Sequence, residues 1–377
     1  MKILILNWKS LTDPTAGGAE RYVLEVATRW ADDGHEVTIF GPRGESSPTA
    51  VLNGRPNLNY VGAGSRLTVF GAADRYLRRS GGQFDWVLES VSTRPFAAHR
   101  LVGDRAVALY HQTAEEVWAM EYPFPISWIG RTMLEPAWIR RLVGGRVVAN
   151  SPSTAAALAR YGIHVEAIIP PGCDPPPTRE RRTAPGTTPR LLWIGRLVRT
   201  KRPEDAIKAF HQVRAALPAA TLDLIGGGYL EASIRAQHHP GVTVHGFVNE
   251  PTKESVLAHA DLLLLPGTRE GWGMVAMDAA VAGTPVVGYR IPGLRDAILD
   301  GVTGVLTDPT PSALAEAAVR LLADPERWAR LSGAAAERAR AYAWDGIAAR
   351  WLTVLKRGDA TEGLGGIRPN AAGCARS

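Results

Sequence analysis

The chain has 377 residues, of which 45% are hydrophobic and 21% are charged, a composition that is typical of folded globular proteins and argues against a disordered chain. This length is greater than one typical α/β core needs, so we predict two domains. The two cysteines, Cys173 and Cys374, are too few for a disulfide framework or a cysteine metal site.

The chain is basic, with a formal net charge of +6 and a pI near 9.5, which admits nucleic acid, an anionic membrane face or an anionic substrate as partners. The sequence has no tract of lysine and arginine with interleaved aromatic residues, so we expect no nucleic-acid partner. No apolar run is long enough to span a bilayer, and the opening MKILILNWKS is too short for a signal peptide. We therefore expect a cytoplasmic protein.

The chain opens with the pattern of a βαβ unit. Residues 3–6 predict a buried strand, residues 21–31 a helix and residues 36–40 a second strand. A ten-residue loop and then Gly17 and Gly18 separate the first strand from the helix, and this spacing differs from the G-x-G-x-x-G of nicotinamide-dependent enzymes. The glycine pair either forms a tight turn or lets the backbone approach a phosphate or sugar closely.

Further strands are predicted at residues 59–61, 85–89 and 105–110, and His111 directly follows the last of them. A side chain at the carboxyl end of a parallel strand points into the crevice where open α/β sheets bind ligands. An isolated histidine is more often a satisfied structural residue, but this position favours a role of His111 in the crevice.

Residues 115–143 are unusually rich in aromatic side chains interleaved with arginines. Pro123 and Pro125 break the segment, so it is not one long amphipathic helix. Three interpretations compete: core helices, an aromatic acceptor cleft, or an interfacial surface that rests on anionic lipid. The side chains concerned are Trp118, Tyr122, Phe124, Trp128, Trp138, Arg131, Arg140 and Arg141.

A change in composition marks the boundary between the two halves. A strand and a helix at residues 147–158, capped by Ser151 or Ser153, precede a stretch that contains PPGCDPPP and then polar and basic residues, which is typical of a linker. The final helix carries apolar residues at helical spacing, and the Gly-rich tail is predicted to be disordered. The predicted segments are a first domain at 1–170, a linker at 171–189, a second domain at 190–343, a final helix at 344–356 and a tail at 357–377.

The second half opens with a strand at 190–194 and a loop that carries Arg196 and Lys201. A guanidinium paired with an ammonium suits a diphosphate, because arginine holds two oxygens in a planar fork and lysine adds a point charge. The alternative is that both are solvated loop charges. The strand at 222–228 ends in three glycines but lacks the Lys and Ser/Thr of a P-loop, so it is weak evidence by itself.

Residues 260–287 predict a strand, a glycine loop and a helix. Gly267, Gly271 and Gly273 allow the chain to turn sharply before a helix that begins at about Met274. The N-terminus of such a helix presents unpaired N–H groups and the positive end of its dipole to an anion such as a nucleotide diphosphate.

Two carboxylates flank this predicted anion site. Glu270 lies in the loop and Asp278 about one turn inside the helix, and each can accept hydrogen bonds from vicinal hydroxyls. A sugar on one side of a diphosphate and a ribose on the other would suit this spacing. The alternative is that both residues merely favour a helix N-terminus and are solvated there.

The stretch 270–278 resembles the EGFG-x-x-x-x-E signature of the retaining glycosyltransferases of family 4, with the same seven residues between the two acidic positions. Trp272 replaces the usual Phe. Asp278 replaces the second Glu and is one methylene shorter, so the ribose contact that the resemblance implies is expected to be looser or water-bridged. GRL-x-x-x-K, with Arg196 and Lys201, is similar to the family's phosphate-binding pair.

The resemblance covers residues 1–356 and extends to the GGxE element at Gly17 and Gly18 and to the nucleobase element at 242–248. It implies an α/β GT-B fold, in which two Rossmann-like domains face each other across a cleft and the final helix returns to the first domain. The catalytic residues that it implies are Arg196, Lys201, Glu270 and His111. The donor-binding residues that it implies are Gly17, Gly18, Gly246, Phe247, Val248, Gly271, Trp272, Gly273, Met274, Val275 and Asp278.

The implied activity is retaining, hexosyltransferase-like transfer from a nucleotide-sugar, with no cofactor and no metal. We expect a UDP-sugar first and GDP-mannose next as donor, and a small molecule, a glycan or a lipid-linked molecule as acceptor. Peripheral contact with the inner membrane face is one option. A sugar-nucleotide epimerase of the same fold and a non-catalytic sugar-nucleotide-binding relative are the alternatives, and incubation with donor alone would distinguish the epimerase.

Overall fold

The computed structural model describes residues 1–11, 13, 16–43, 49–52, 54–174 and 182–357. The predicted disordered tail lies outside the described residues from residue 358 onward, as do residues 175–181 of the predicted linker. No helix in the described part of the chain is long and apolar enough to cross a membrane.

The first domain is built on an eight-stranded sheet. Its strands are β1 Lys2–Asn7, β2 Glu36–Gly41, β3 Thr49–Val51, β4 Leu58–Gly62, β5 Trp86–Val91, β6 Ala106–Tyr110, β7 Arg146–Ala149 and β8 Ala167–Ile168. The order is β3-β4-β2-β1-β5-β6-β7-β8, and all pairs are parallel except β3–β4 at the edge.

Strand β1 shows why this sheet is buried on both faces. Ile3 and Ile5 belong to one hydrophobic core, whereas Leu4 and Leu6 belong to another, because successive side chains of a strand point to opposite faces. The apolar run is therefore continuous rather than alternating.

The described part of the first domain contains seven α-helices around this sheet: α1 Gly18–Asp32, α2 Val69–Ser80, α3 His99–Val102, α4 Glu116–Glu121, α5 Ile126–Ile129, α6 Glu135–Arg140 and α7 Pro152–Ala159. Short 3₁₀ helices lie at Gly81–Gln83 and Gly103–Arg105, and a π-helix at Gly130–Leu134. Of the two predicted caps of α7, Ser151 is the one used, since its Oγ accepts a hydrogen bond from Thr154 N at 3.1 Å.

The second domain contains a six-stranded, wholly parallel sheet in the order β11-β10-β9-β12-β13-β14. Its strands are β9 Arg190–Ile194, β10 Thr221–Ile225, β11 Val242–Gly246, β12 Leu262–Leu265, β13 Val286–Tyr289 and β14 Val305–Thr307. Its helices are α8 Pro203–Ala216, α9 Glu231–Ala236, α10 Glu250–His259, α11 Met274–Ala282, α12 Leu294–Ala297, α13 Pro311–Leu322 and α14 Pro325–Arg340, with a 3₁₀ helix at Arg199–Lys201.

The last helix, α15 Trp344–Lys356, returns to the first domain, as predicted. Trp351 Nε1 donates a hydrogen bond to the hydroxyl of Tyr22 at 2.8 Å, and Trp30 Nε1 donates to the Ala348 carbonyl at 3.1 Å. The indole ring of Trp351 is fully buried. Burial of aromatic surface between α1 and α15 therefore holds the end of the chain on the first domain.

The chain crosses between the domains twice, and the two crossings lie side by side. Cys173 N donates to the Tyr342 carbonyl at 2.9 Å, and Cys173 forms an isolated bridge with Ala343. A methyl group on Gly172 would lie 2.5 Å from the Trp344 ring, so only glycine permits this approach. The two backbone segments that connect the domains therefore pack against each other.

Candidate functional site

The two domains meet through loops that follow the carboxyl ends of their parallel strands. A methyl group on Gly18 would lie 2.8 Å from Met274 Sδ, and one on Gly271 would lie 2.6 Å from the His111 carbonyl oxygen. The two predicted glycine loops therefore face each other across the domain boundary, at the edge of the sheets where α/β folds bind ligands.

Helix α11 starts at this boundary with the geometry that its sequence predicts. Gly273, its N-cap, has φ of +95°, a conformation that glycine adopts without strain. A methyl group there would lie 2.7 Å from Leu294 Cδ2, so the absence of a side chain also allows close packing. Met274 and Val275 form the first turn, whose N–H groups lack intrahelical partners, and the Met274 side chain lies against Gly18 of the first domain.

Lys201 and Glu270 lie together as an ion pair, with Lys201 Nζ donating to Glu270 Oε1. Their loops are joined by a hydrogen bond from Thr268 N to the Thr200 carbonyl at 2.9 Å. The two side chains are 24% and 22% exposed, so a ligand in the cleft can still reach both. The structure thus brings together two residues that are 69 positions apart in sequence.

Arg196 is exposed, and its side chain makes no hydrogen bond or ion pair with any residue that the structure describes. Its charge nevertheless acts on the opposite domain. Burial lowers the pKa of Lys9, and the positive charges of Arg66 and Arg196 lower it further, against the attraction of Glu20 and Asp13. Lys9, two residues after the end of β1, is a buried cation that sequence reasoning missed.

His111 lies at the end of β6 and is buried. Its Nε2 is 2.9 Å from Ser90 Oγ, and its ring meets the edge of Tyr22 with a centroid distance of 5.9 Å. Burial lowers the pKa of His111 to about 4, so the ring is neutral at neutral pH. The imidazole can exchange hydrogen bonds with a hydroxyl but supplies no positive charge.

Asp278 is the centre of a network of cations. Arg21 Nη1 lies 3.0 Å from each oxygen of the Asp278 carboxylate, and Lys253 Nζ lies 3.1 Å from Oδ2. Arg21 also reaches Asp174 at 2.9 Å. Asp278, the second acidic position of the signature, therefore binds cations from both domains. A ribose hydroxyl would have to bind the same carboxylate alongside them.

Comparison with known proteins identifies the family of the chain. The model of Glycosyltransferase Family 4 matches residues 16–176, and that of Glycosyl transferases group 1 matches residues 176–338. The chain is 30% identical to a D-inositol 3-phosphate glycosyltransferase from Xylanimonas cellulosilytica over 90% of this chain and 91% of the relative. The chain belongs to glycosyltransferase family 4. It is a glycosyltransferase.

Solved structures show that the fold is the GT-B fold predicted from the family resemblance. A sucrose-phosphate synthase from Thermosynechococcus elongatus superimposes with a TM-score of 0.73 at 21% identity, covering 94% of this chain and 98% of that one. Anabaena HepE in complex with UDP and glucose gives a TM-score of 0.71 at 18% identity, covering 94% and 99%.

The remaining donor-binding residues that the family resemblance implies lie around α11. Gly246 ends β11 with φ of +75°, Phe247 is 78% exposed, and Val248 precedes α10, whose Lys253 reaches Asp278. The β11 loop and the acidic position of α11 are therefore neighbours.

Two further residues that the resemblance assigns to donor binding, one in each domain, differ in what they offer a ligand. Trp272 points away from the cleft: it is buried and packs on Tyr342 at a centroid distance of 5.3 Å. Only its backbone is available to a ligand. Gly17, the N-cap of α1, donates its N–H to Glu20 Oε2 at 2.8 Å.

A buried arginine of the second domain binds the first domain just below the cleft. Arg269 Nε donates to the Thr113 carbonyl at 2.9 Å, and its Nη atoms lie 2.8 Å from Glu115 and 3.2 Å from Glu116. Its only sequence signal is its position beside Glu270. The Arg269 guanidinium binds two carboxylates of the first domain at once, and this contact fixes the position of one domain relative to the other.

Glu121, at the end of α4, makes a second polar contact between the domains. It accepts hydrogen bonds from Thr200 N at 3.0 Å and from the Tyr229 hydroxyl at 2.6 Å. Burial raises the pKa of Glu121, but these hydrogen bonds and the charge of Arg196 outweigh burial, so the pKa is lowered. Among the described residues, no three His, Cys, Asp or Glu side chains are grouped as a metal site would require.

Proposed function

We propose that this enzyme transfers a sugar from a nucleotide-sugar to an acceptor hydroxyl with retention of the anomeric configuration. The observation that carries the proposal is the position of the Lys201–Glu270 pair beside the loop that leads into α11, opposite Gly18 and His111 of the first domain. Charged and polar groups of both domains thereby lie close to the domain boundary, as a reaction between a donor and an acceptor requires.

The leaving group in this proposal is the nucleoside diphosphate. Arg196 has no partner among the described side chains and is available to a phosphate oxygen, while Lys201 exchanges part of its contact with Glu270 for a second oxygen. The N–H groups of the first turn of α11 add fixed positive charge. These donors are in place before the sugar–phosphate bond breaks, so they stabilise the charge that develops without reorganisation.

The two acidic residues hold the parts of the donor on either side of the diphosphate. Glu270 accepts hydrogen bonds from hydroxyls of the transferred sugar, and Asp278 accepts one from the ribose while it keeps Arg21 or Lys253. The backbone of residues 246–248 lies on the base side, next to α10.

The chemical step in this proposal is attack from the face that the leaving group occupies. The bond from the anomeric carbon to the phosphate oxygen breaks, the bond from that carbon to the acceptor oxygen forms, and the acceptor proton passes to a donor phosphate oxygen. Glu270 is engaged by Lys201, which favours this route over a covalent glycosyl-enzyme. His111, neutral and hydrogen-bonded to Ser90, positions a hydroxyl of the donor or acceptor.

UDP-sugar is the first donor candidate, because HepE, which shares the fold, was solved with UDP and glucose, and GDP-mannose is the next. A thermal-shift screen of UDP-, GDP-, ADP- and dTDP-sugars tests this, since a ligand at 100 times its Kd that binds only the folded state adds about 2.7 kcal/mol of stability. A rise with one nucleotide class supports the proposal, and no rise with any class contradicts it.

The stereochemistry is tested separately by proton NMR of the product formed from the selected donor. Retention predicts that the new glycosidic bond has the anomeric configuration of the donor. A product of opposite configuration would exclude same-face attack. An isomerised nucleotide-sugar formed from donor alone would instead identify an epimerase.

A further inference from the structure

A strip of large apolar side chains lies exposed on the first domain, between α4 and α6. We define the apolar strip as residues 122–134. Phe124 is 80% exposed, Met133 57% and Trp128 56%. The other apolar side chains exposed in the strip are Tyr122, Ile126, Ile129 and Leu134. Monomeric proteins seldom leave so many large apolar side chains together in water, so the strip marks an interaction surface.

The strip cannot turn its side chains inward, because the space beneath it is filled. Gly130, in the π-helix, lies so close to Trp118 that a methyl group would overlap the indole ring. Trp118 itself packs on Trp138 with a centroid distance of 6.1 Å, and its Nε1 donates to Glu135 at 3.0 Å. The strip is thus a supported platform, and its apolar side chains are buried only when something covers them.

The charge of the strip is wholly positive. Arg131 is exposed and is the one charged residue within 122–134. The carboxylates on either side point away: Glu121 accepts from Thr200 and Tyr229 of the second domain, and Glu135 is buried beneath Trp118. Arg140, one helix further along, is also exposed. The surface therefore offers apolar side chains and guanidinium groups with no carboxylate of its own exposed.

We propose that the apolar strip docks on an anionic lipid bilayer. Aromatic and aliphatic side chains beside arginines match the boundary between acyl chains and anionic head groups. Burial of apolar side chains and attraction of arginines to an anionic surface both favour binding, so insertion of a few residues suffices for reversible binding. A protein partner is less well matched, because a protein interface uses acceptors as well as donors. The surface exposes no carboxylate of its own, and Thr132 Oγ1 already donates to the Trp128 carbonyl at 2.7 Å.

The strip also lies at the mouth of the cleft between the domains. It begins directly after Glu121, which contacts Thr200, and Met120 Sδ lies 3.1 Å from Thr268 Oγ1, two residues from Glu270. A docked enzyme therefore holds the cleft at the level of the head groups. If the proposed transfer is correct, and this step rests on it, the acceptor hydroxyl belongs to a lipid-linked molecule.

Co-sedimentation of the full chain with vesicles, in the absence of any nucleotide, tests the docking without reference to the chemistry. We expect the protein to sediment with phosphatidylcholine vesicles that contain phosphatidylglycerol and much less with phosphatidylcholine alone. The pair Phe124→Ser and Trp128→Ser should weaken binding at least about tenfold, a loss of about 1.4 kcal/mol. The pair Arg131→Gln and Arg140→Gln should remove the preference for anionic vesicles.

The matched control is Val302→Ser, which replaces a residue 53% exposed on the second domain and should bind as the parent does. Thermal melts by circular dichroism verify that each variant is folded. Absence of sedimentation with anionic vesicles would overturn the proposal. So would a concentration-dependent dimer that the Phe124 and Trp128 substitutions abolish, since the strip would then cover a second copy.

Transfer activity with and without vesicles tests the acceptor step separately. Docking without stimulation of transfer by vesicles that carry lipid-linked acceptors would overturn only the acceptor assignment. Loss of docking with normal transfer to a soluble acceptor would overturn the docking and leave the proposed function intact.

Discussion

Arg21 and Asp278 form an ion pair that joins the two domains, with Arg21 Nη1 3.0 Å from each oxygen of the carboxylate. Their side chains are only 23% and 12% exposed, so solvent screens the pair weakly. Lys253 of the second domain shares the same carboxylate. The acidic residue that we assign to the ribose is therefore also part of the interface that holds the cleft closed.

Replacement of Arg21 by Ala should destabilise the protein, because it removes a two-point contact between the domains and leaves Asp278 with Lys253 alone. We expect a loss of about 1–2 kcal/mol in the free energy of unfolding, between the values of exposed and buried pairs. Urea unfolding measures it. Arg78→Ala, which breaks an exposed pair with Asp74 on α2, is the control and should leave the midpoint unchanged. Equal effects of the two substitutions on the free energy of unfolding would show that the contact between Arg21 and Asp278 does not stabilise the protein.

The free energy of unfolding should decrease as the pH is lowered, because of the titration of His111. Its pKa is lowered to about 4 in the folded protein by burial, against a value near 6.5 in the unfolded chain. Both states hold a neutral ring above about pH 6.5. As the pH falls toward 4, the unfolded chain gains a proton that the folded protein does not, so stability is lost, by about 2 kcal/mol between about pH 7 and about pH 5.

Urea unfolding at the two pH values checks this prediction, with His111→Gln as the comparison. Gln keeps a neutral polar group beside Ser90 but cannot titrate, so the variant should lack that part of the pH dependence. Other histidines titrate in both proteins and cancel in the difference. An identical dependence in the parent and the variant would mean that His111 is solvated.

Gly271 should not tolerate a side chain. A methyl group there would lie 2.6 Å from the His111 carbonyl oxygen and 2.7 Å from Asn150 Nδ2, and the carbonyl belongs to the backbone and cannot swing aside. We expect Gly271→Ala to cost about 1–3 kcal/mol, the range for overpacking, and to lower transfer activity because the loop before α11 moves from the first domain. Thermal unfolding and donor turnover measure the two effects.

Gly346→Ala is the matched control for Gly271. Nothing lies within 4 Å of a methyl group at Gly346, which is inside α15, so alanine should be neutral or should stabilise that helix by up to about 1 kcal/mol. If both substitutions had the same effect, close contact at the cleft would not be the reason that glycine occupies position 271.

Much of the fold could be predicted from local pattern. The apolar runs at 3–6 and 260–265 and the glycines before Met274 each specify a strand or turn within a few residues, and the structure contains these elements. The first helix begins at Gly18 and not at residue 21, because Glu20 Oε2 accepts a hydrogen bond from the Gly17 N–H and so satisfies a backbone donor ahead of the first turn.

The polar contacts across the domains could not be predicted in the same way. Arg21 and Asp278 are 257 positions apart, and Arg269 and Thr113 are 156 apart, so no local pattern records their contact. The composition of the aromatic segment, residues 115–143, also could not predict which of its side chains are buried and which are exposed. Trp118 is buried against Gly130, whereas Trp128, in the same segment, is exposed.

The most direct test of the central claim is calorimetric titration of UDP, or of the nucleoside diphosphate that the donor screen selects, into the parent and into Lys201→Ala. We expect at least about tenfold weaker binding to Lys201→Ala and unchanged binding to Lys208→Ala, in which the replaced residue is an exposed lysine on α8. The double variant Lys201→Ala with Glu270→Gln should stay weak, because the lost cation and not an unpaired carboxylate is the cause. Equal affinity of the parent and Lys201→Ala would contradict the assignment of the cleft as the diphosphate site.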